Sequence, residues 1–169
     1  MKKVKIIAND NFQKSIESTV KVLAQDKNLN ILFGDSNNKN KTDIILPTLR
    51  TSSEISDVKK IRGISDSASL IKKYHDANLH KDLSPSKEDQ KKIFDALENM
   101  RCEVLGSFNM PGVKKNISDL FELEMSNKKN ETIKLSKEKT IKFLLRDFLF
   151  QEKMALKYKE TLDKDYKKI

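Results

Sequence analysis

The residues His75, Asp76 and His80 are the first whose types could do chemistry, because His and Asp are good ligands for metal ions. Two histidines five positions apart on a helix are separated by roughly 140° around its axis. His75 and His80 can therefore converge only if a helix ends near Ala77. The alternative is a histidine bonded to a neighbouring carboxylate near a helix C-terminus, where its charge is favourable. We expect this structural role and keep a metal site at the three residues as the alternative.

A second polar group lies within the segment IFDALENMRCEVLG, where Glu98, Arg101 and Glu103 adjoin a stripe of apolar residues with helical spacing. Glu98 and Arg101 are three positions apart and can pair along a helix. An exposed pair contributes only ~0.5 kcal/mol or less. Removing one partner of a buried pair costs roughly 3–5 kcal/mol. No nucleophile and base stand together here, so we predict no catalytic residues.

Other kinds of site are absent from the sequence pattern. Cys102 is the single cysteine, which rules out an internal disulfide and a cysteine metal cluster. No glycine-rich loop ending in Lys-Ser or Lys-Thr is present, and no GxGxxG. We therefore predict no cofactor bound by this segment.

The net charge of +9 makes a basic nucleic-acid-binding helical module the alternative function. Most of the positive charge is lysine, and the four arginines are Arg50, Arg62, Arg101 and Arg146. Arginine is the residue that forks onto phosphates and guanines, so we favour a solvated lysine surface and expect no nucleic-acid partner. The N-terminus lacks the apolar run of a signal peptide, and no stretch approaches the ~18 apolar residues of a membrane span. We expect a soluble, cytoplasmic protein without a membrane partner.

The elements that must position these residues are mainly α-helices. Only four glycines and three prolines occur in 169 residues, which favours long helices over many short strands. Apolar periodicity predicts helices over 11–25, from about 54 to 76 with a bend at Gly63, over 93–106, around 117–121 and from about 136 onward. The segments LNILFGD and DIILP flank an Asn-rich loop and predict one small β-hairpin packed on the helices. Residues 77–90 are predicted to be a connection, with Ser86 and Asp89 as a capping box for the next helix.

The region from Arg62 to Asn116 resembles the N-terminal region of CobT, a subunit of the aerobic, ATP-dependent cobaltochelatase. The resemblance rests on RGISDSASL, YHD, His80, Pro85, IFDALENMRCEVLG and MPGVKKN, in this order and spacing. The first helix and the strand region are similar to the family as well, so the likeness begins at about Phe12. A weaker similarity lies in FLLRDFLF.

This resemblance implies a place in cobalamin (vitamin B12) biosynthesis. Members of the family associate with an AAA+ ATPase subunit in a complex that acts on a large corrin-binding subunit. The complex is a ligase that forms Co–N bonds, since it inserts Co²⁺ into hydrogenobyrinic acid a,c-diamide with ATP and Mg²⁺. Those cofactors belong to the whole complex, and we expect this segment alone to be non-catalytic.

The resemblance also implies a domain organisation. We expect a CobT-like N-terminal helical domain at 1–150 and a charged helical extension at 151–169. In the family, an acidic linker and an integrin-I-type domain with a metal-adhesion site follow such a domain, and this sequence carries neither.

Eight polar residues fall on positions that match the family pattern or lie beside them. We hypothesise that they form one cluster that fixes the domain or presents a surface for docking another subunit. The cluster consists of Arg62, Asp66, His75, Asp76, His80, Glu98, Arg101 and Glu103.

Overall fold

The computed structural model describes residues 9–34, 43–49, 54–128 and 137–150. The elements within these ranges are α1 (Asn9–Ala24), β1 (Ile31–Phe33), β2 (Ile44–Leu46), α2 (Ile55–Tyr74), α3 (Ala77–Leu83), α4 (Glu88–Ser107), α5 (Pro111–Lys128) and α6 (Lys137–Phe150). The fold is mainly α, as the sequence predicts. The predicted extension at 151–169 and the N-terminal residues 1–8 lie outside the described ranges.

Helix α2 is the centre of the architecture, because α1, α4 and α5 all pack against it, and α6 packs against α4. Its sequence suits this position. Small and polar residues of α2 are buried together with apolar ones, namely Ile61, Gly63, Ser65, Asp66, Ser69 and Leu70. Gly63 does not interrupt the helix, contrary to the predicted bend, and α2 runs unbroken over 20 residues.

Gly63 instead allows a close approach of α2 and α5. A Cβ atom built on Gly63 would lie 2.5 Å from Cβ of Leu120 and 2.6 Å from the backbone oxygen of Asn116. Neither atom can move without displacing α5. Gly106 lies at the contact of α4 with α2, where an added Cβ would meet the side chain of Leu70.

The predicted β-hairpin is wrong, because β1 and β2 pair in parallel with Ile31 opposite Ile44 and Phe33 opposite Leu46. A hairpin joins antiparallel strands through a short turn, whereas parallel strands need a longer crossover. Ten residues separate Phe33 from Ile44, enough for the chain to return to the start of β1. The strands cover α1 and the first turns of α2, and their apolar side chains join one cluster with Ile16, Val20 and Ile61.

A second apolar cluster lies at the other end of α2, where Leu70 meets Met100 of α4, Ile117 of α5 and Phe150 of α6. Helices α2 and α4 both contribute to this cluster, and most of the polar residues of interest lie on them or directly after α2. Its helices therefore determine the geometry of the candidate site.

Three local predictions differ from the structure. Residues 77–83 form the short helix α3 rather than a connection, because Asp76 caps it by accepting the backbone N–H groups of Asn78 and Leu79. The N-cap of α4 is Lys87 and not Ser86. Pro111 is the first residue of α5, a position where its missing N–H costs nothing, and the predicted short helix is 18 residues long.

Helix α2 begins with a local hydrogen bond. Its N-cap is Glu54, whose backbone N–H donates to the Asp57 carboxylate at 2.8 Å. None of the helices in the described part of the chain is long and apolar enough to cross a membrane.

Candidate functional site

The carboxylate of Glu98 is the centre of the polar contacts between α2 and α4. Its Oε1 lies 3.0 Å from Nδ1 of His75, at the C-terminal end of α2. Arg101, one turn further along α4, binds both carboxylate oxygens at 2.7 Å through Nε and a terminal nitrogen. The hydrogen bonds from Arg101 lower the pKa of Glu98 to about 2, with a smaller effect from His75. Glu98 is therefore ionised at neutral pH and accepts both bonds, so Nδ1 of His75 carries the hydrogen.

Arg101 also contacts the backbone of α2. Its terminal nitrogen donates to the Tyr74 carbonyl oxygen at 2.9 Å. Tyr74 is the last residue of α2, and carbonyl groups at a helix end have no partner within the helix. A cation is favourable at this negative end of the helix dipole. Arg101 thus fixes the end of α2 against α4, while half of its own side chain stays exposed.

His80 connects α3 to α4. Its Nε2 lies 2.8 Å from Oδ1 of Asp95, and its ring packs against the tilted ring of Phe94 with centroids 4.8 Å apart. The ring of His75 meets the His80 ring edge-on at 4.7 Å. Because a carboxylate only accepts, Nε2 of His80 is the donor, and its Nδ1 is buried with no partner among the described residues.

The structure does not gather His75, Asp76 and His80 around one point. Asp76 faces the first N–H groups of α3, whereas the two histidines turn towards different carboxylates of α4. Within the described ranges, no group of three or more His, Cys, Asp or Glu side chains has the geometry to hold a metal ion. Each of the two histidines has a carboxylate partner, as in the structural role described above.

Asp66 lies apart from this network, at the contact of α2 with α5. Its Oδ2 accepts a hydrogen bond from Asn116 Nδ2 at 2.8 Å, and the residue is 3% exposed. Burial raises the pKa of Asp66, although the bond from Asn116 and the charge of Arg62 act in the opposite direction. Arg62 itself is exposed on the outer side of α2.

Glu103 forms a third, separate contact that joins α2, α4 and α6. Its Oε1 accepts a hydrogen bond from the Ser67 hydroxyl at 2.6 Å and lies 3.5 Å from Nζ of Lys142. The residue is buried, and its Oε2 has no hydrogen-bond partner among the described residues. The eight residues of the hypothesised cluster are thus distributed over several helix contacts. His75, His80, Glu98 and Arg101 are the ones that the structure brings together.

Cys102 contributes no reactive thiol to this network. Its side chain is buried, and burial raises its pKa to about 11, with the nearby Glu98 charge acting in the same direction. A thiolate is the reactive form of cysteine, so this thiol is inert at neutral pH.

Four partners of the candidate residues were not identified from the sequence: Ser67, Asp95, Asn116 and Lys142. Three of them stand in the segments that resemble CobT, namely RGISDSASL, IFDALENMRCEVLG and MPGVKKN. The segments therefore include these three partners, but residue type and spacing alone did not show which polar side chains would face one another.

The arrangement as a whole holds helices together. Glu98 and Arg101 join α4 to the end of α2, His80 joins α3 to α4, and Asp66 joins α2 to α5. Each of these side chains is occupied by a partner from another helix or from its own. Such contacts fix the relative positions of α2 to α5 and give the domain a defined outer surface.

Comparison with known proteins identifies the family of the chain. The chain matches the family model described as "Cobalamin biosynthesis protein CobT" over residues 8–164, nearly its whole length. No solved structure matches it. The chain therefore belongs to the CobT family, whose members are subunits of the cobaltochelatase of cobalamin biosynthesis.

Proposed function

We propose that this chain is a non-catalytic domain of the cobaltochelatase subunit CobT, which assembles with an AAA+ ATPase subunit and a large corrin-binding subunit. The complex inserts Co²⁺ into hydrogenobyrinic acid a,c-diamide at the expense of ATP. Cobalt is the substrate of that reaction, and ATP hydrolysis and corrin binding belong to the other subunits. The observation that carries the proposal is the family match over residues 8–164.

The geometry of the polar residues supports a role in assembly. The ionised Glu98 is bonded on two sides, by His75 and by Arg101, which leaves it no free proton-accepting function. Asp66 and Glu103 are buried between helices. These contacts join helices of the domain, and a surface that is already ordered loses less conformational entropy when it binds another subunit.

Reconstitution of cobalt insertion tests this function. The AAA+ subunit, the corrin-binding subunit and this protein are combined with Co²⁺, hydrogenobyrinic acid a,c-diamide and ATP, and the product is followed by its absorbance. We expect insertion only when all three proteins and ATP are present. Each protein is then omitted in turn, and this protein is also assayed alone.

Two results would contradict the proposal. The first is full activity of the other two subunits in the absence of this protein. The second is ATP hydrolysis or cobalt insertion by this protein alone. For the alternative function, retention on DNA or RNA is measured over a range of salt concentrations. A steep loss of binding with salt would support a nucleic-acid module, because phosphate contacts release counterions.

A further inference from the structure

A small cleft lies where α4 ends, α5 begins and α6 reaches Phe150. Its volume is about 110 Å³. A cavity of roughly 150 Å³ holds a benzene ring, whereas pockets for small molecules typically measure roughly 300–1,000 Å³. The cleft is therefore suited to one protein side chain rather than to a cofactor. The residues that line it are Val104, Ser107, Phe108, Lys114, Leu149 and Phe150.

Phe108, at this cleft, is unusually accessible. It is 79% exposed, more than any other large apolar residue in the described part of the chain. It is the C-cap of α4 and keeps helical backbone angles, so it stands one turn after Leu105, on the same side of the helix. Leu105 is 51% exposed. Two large apolar side chains that face solvent beside a cleft form a patch, and such a patch is typical of a protein–protein contact.

The segment around Phe108 carries no charge. Residues 104–113, VLGSFNMPGV, are the longest stretch of the sequence without Asp, Glu, Lys or Arg, in a chain of which 35% is charged. Nζ of the next residue, Lys114, donates to the Phe150 carbonyl oxygen at 2.8 Å. Few charges and an exposed aromatic ring are the composition of an interface core. The exposed residues of this segment are Leu105, Phe108, Asn109, Pro111 and Gly112.

The net charge of the chain indicates which partner this uncharged surface suits. A partner with an acidic surface is attracted to exposed lysine side chains elsewhere on the chain. A second copy of the chain is repelled from those lysines, because it also carries a charge of +9. Two copies can therefore approach most easily where both surfaces lack charge. The surface around Phe108 meets this condition.

The exposed ring and the cleft lie side by side, which is the arrangement that a two-fold axis requires. In a two-fold dimer the same patch of both copies meets, and every contact occurs twice. If Phe108 of one copy enters the cleft of the other, the second Phe108 is brought to the first cleft. We propose that two copies of this chain associate around such an axis, with each Phe108 ring packed against Val104 and Leu149 of the partner subunit.

Sedimentation equilibrium of the full chain over a range of concentrations tests this dimer. We expect a monomer–dimer equilibrium that strengthens as salt is added, because salt screens the repulsion between two chains of charge +9. Phe108→Asp should weaken dimerisation by at least about tenfold, since each dimer loses two buried rings. The measurement uses this chain alone, so its outcome does not depend on the proposed assembly with other chelatase subunits.

The matched control is Val22→Asp. Val22 lies on α1 and is 75% exposed, nearly as much as Phe108, and its substitution changes the net charge by the same amount. We expect Val22→Asp to dimerise like the wild type. Circular dichroism of both variants verifies that the helices remain folded.

A second measurement locates the contact. Isotope-labelled and unlabelled chains are mixed, and isotope-filtered NMR detects only contacts between different copies. We expect such contacts between the Phe108 ring of one copy and the Leu149 methyl groups of the other. They should disappear when the sample is diluted below the range in which the dimer forms.

Three results would overturn the proposal. One is a monomer at every concentration and salt concentration. Another is a dimer that Phe108→Asp and Val22→Asp affect equally, or that lacks the contact between Phe108 and Leu149. The third is a monomer that binds another chelatase subunit and loses this binding in Phe108→Asp, since this would assign the surface to that subunit.

Discussion

Glu98 and Asp66 show how two carboxylates of the same helical domain differ in their effect on stability. Glu98 is bonded by the Arg101 cation, and its pKa is lowered to about 2 from an ordinary value of 4.5. Asp66 is buried beside a neutral amide, and burial raises its pKa. The first carboxylate stabilises the fold in its charged form, whereas the second is stabilised by protonation. We therefore expect the free energy of unfolding to respond differently when the charge of each residue is removed.

For Glu98→Gln we predict a loss of roughly 1.5–3 kcal/mol in the free energy of unfolding at pH 7, as for hydrogen bonds to charged groups. The amide presents a donor where His75 and Arg101 also donate. Because the folded-state pKa is depressed, the stabilisation is present above pH 4.5 and is lost as the pH falls towards about 2. Urea unfolding of the wild type and of Glu98→Gln, from pH 7 down to about pH 2, measures how the difference in their stability changes with pH.

The control for this variant is Glu122→Gln. Glu122 is an exposed glutamate on α5, and its substitution changes the net charge by the same amount. It should shift stability by less than about 0.5 kcal/mol, as for most surface substitutions. If both variants lost the same stability, or if the difference between Glu98→Gln and wild type did not shrink at low pH, the assigned role of Glu98 would be wrong.

For Asp66→Asn we predict a stability at pH 7 within about 1 kcal/mol of the wild type, or above it. A raised folded-state pKa means that the stability contributed by Asp66 is present below pH 3.8 and is lost as the pH rises through the folded-state value. The amide keeps an oxygen for the bond from Asn116 and removes the buried charge. Thermal unfolding measures the stability of Asp66→Asn and of Asn116→Ala. A larger loss of stability in Asp66→Asn than in Asn116→Ala would contradict this account.

At the residue scale, the sequence identified side chains better than their partners. The spacing of Glu98 and Arg101 predicts a pair, and the structure contains it. The sequence also favoured a carboxylate partner for the histidines, without indicating Asp95 or Glu98. Partners from different helices depend on how those helices pack, and this is a property of the tertiary structure that residue spacing does not contain.

At the element scale, α3 depends on a few polar contacts because none of its residues is buried. A seven-residue helix is not stable on its own in water. His80 links it to α4 through Asp95 and the Phe94 ring, and Ser84 at its C-cap accepts a hydrogen bond from Lys91 of α4. The remainder of the domain has its own apolar clusters and does not rely on α3.

For His80→Ala we therefore predict local loss of order in residues 77–83, with global stability reduced by only about 1 kcal/mol. Hydrogen exchange of backbone amides measures the effect, and the amides of α3 should lose protection while those of α2 keep theirs. Lys81→Ala, on the exposed part of the same helix, is the control. Unchanged protection of α3 in His80→Ala would show that other contacts hold this helix.

For Gly63→Ala we predict a destabilisation of roughly 1–3 kcal/mol, despite the gain in helix propensity of about 1 kcal/mol. The new Cβ meets the Asn116 backbone oxygen and Cβ of Leu120, neither of which can move freely. Gly112→Ala is the matched control, since its Cβ meets nothing within 4 Å, and it should stabilise α5. Chemical unfolding of both variants tests the close packing of α2 and α5, and equal effects would argue against it.

The sequence predicted helices more reliably than the strands. Long apolar stripes, such as the one in α4, determine a helix locally. Two short apolar runs around a polar loop show that strands exist, but the direction of pairing depends on the surface that they cover. This explains why β1 and β2 are parallel although a hairpin was predicted. Helix α3 was not predicted because its seven residues are too few to show a period.

At the scale of the whole molecule, polar contacts join neighbouring helices in a chain of the CobT family. Paired carboxylates at the helix contacts account for the crowded charges on α4. The charge of +9 remains largely on lysine side chains, which suits association with acidic surfaces more than recognition of a base sequence. This charge distribution is compatible with the proposed function, the binding of other subunits.

The most direct test of this account is the binding of this chain to the AAA+ chelatase subunit, measured by pull-down with and without ATP. We predict that the chain retains the AAA+ subunit and that an Arg101→Ala variant, in which the end of α2 is no longer fixed, retains less. Glu122→Gln is the control variant. Absence of binding to the AAA+ subunit and to the corrin-binding subunit under both conditions would contradict the proposed role in assembly.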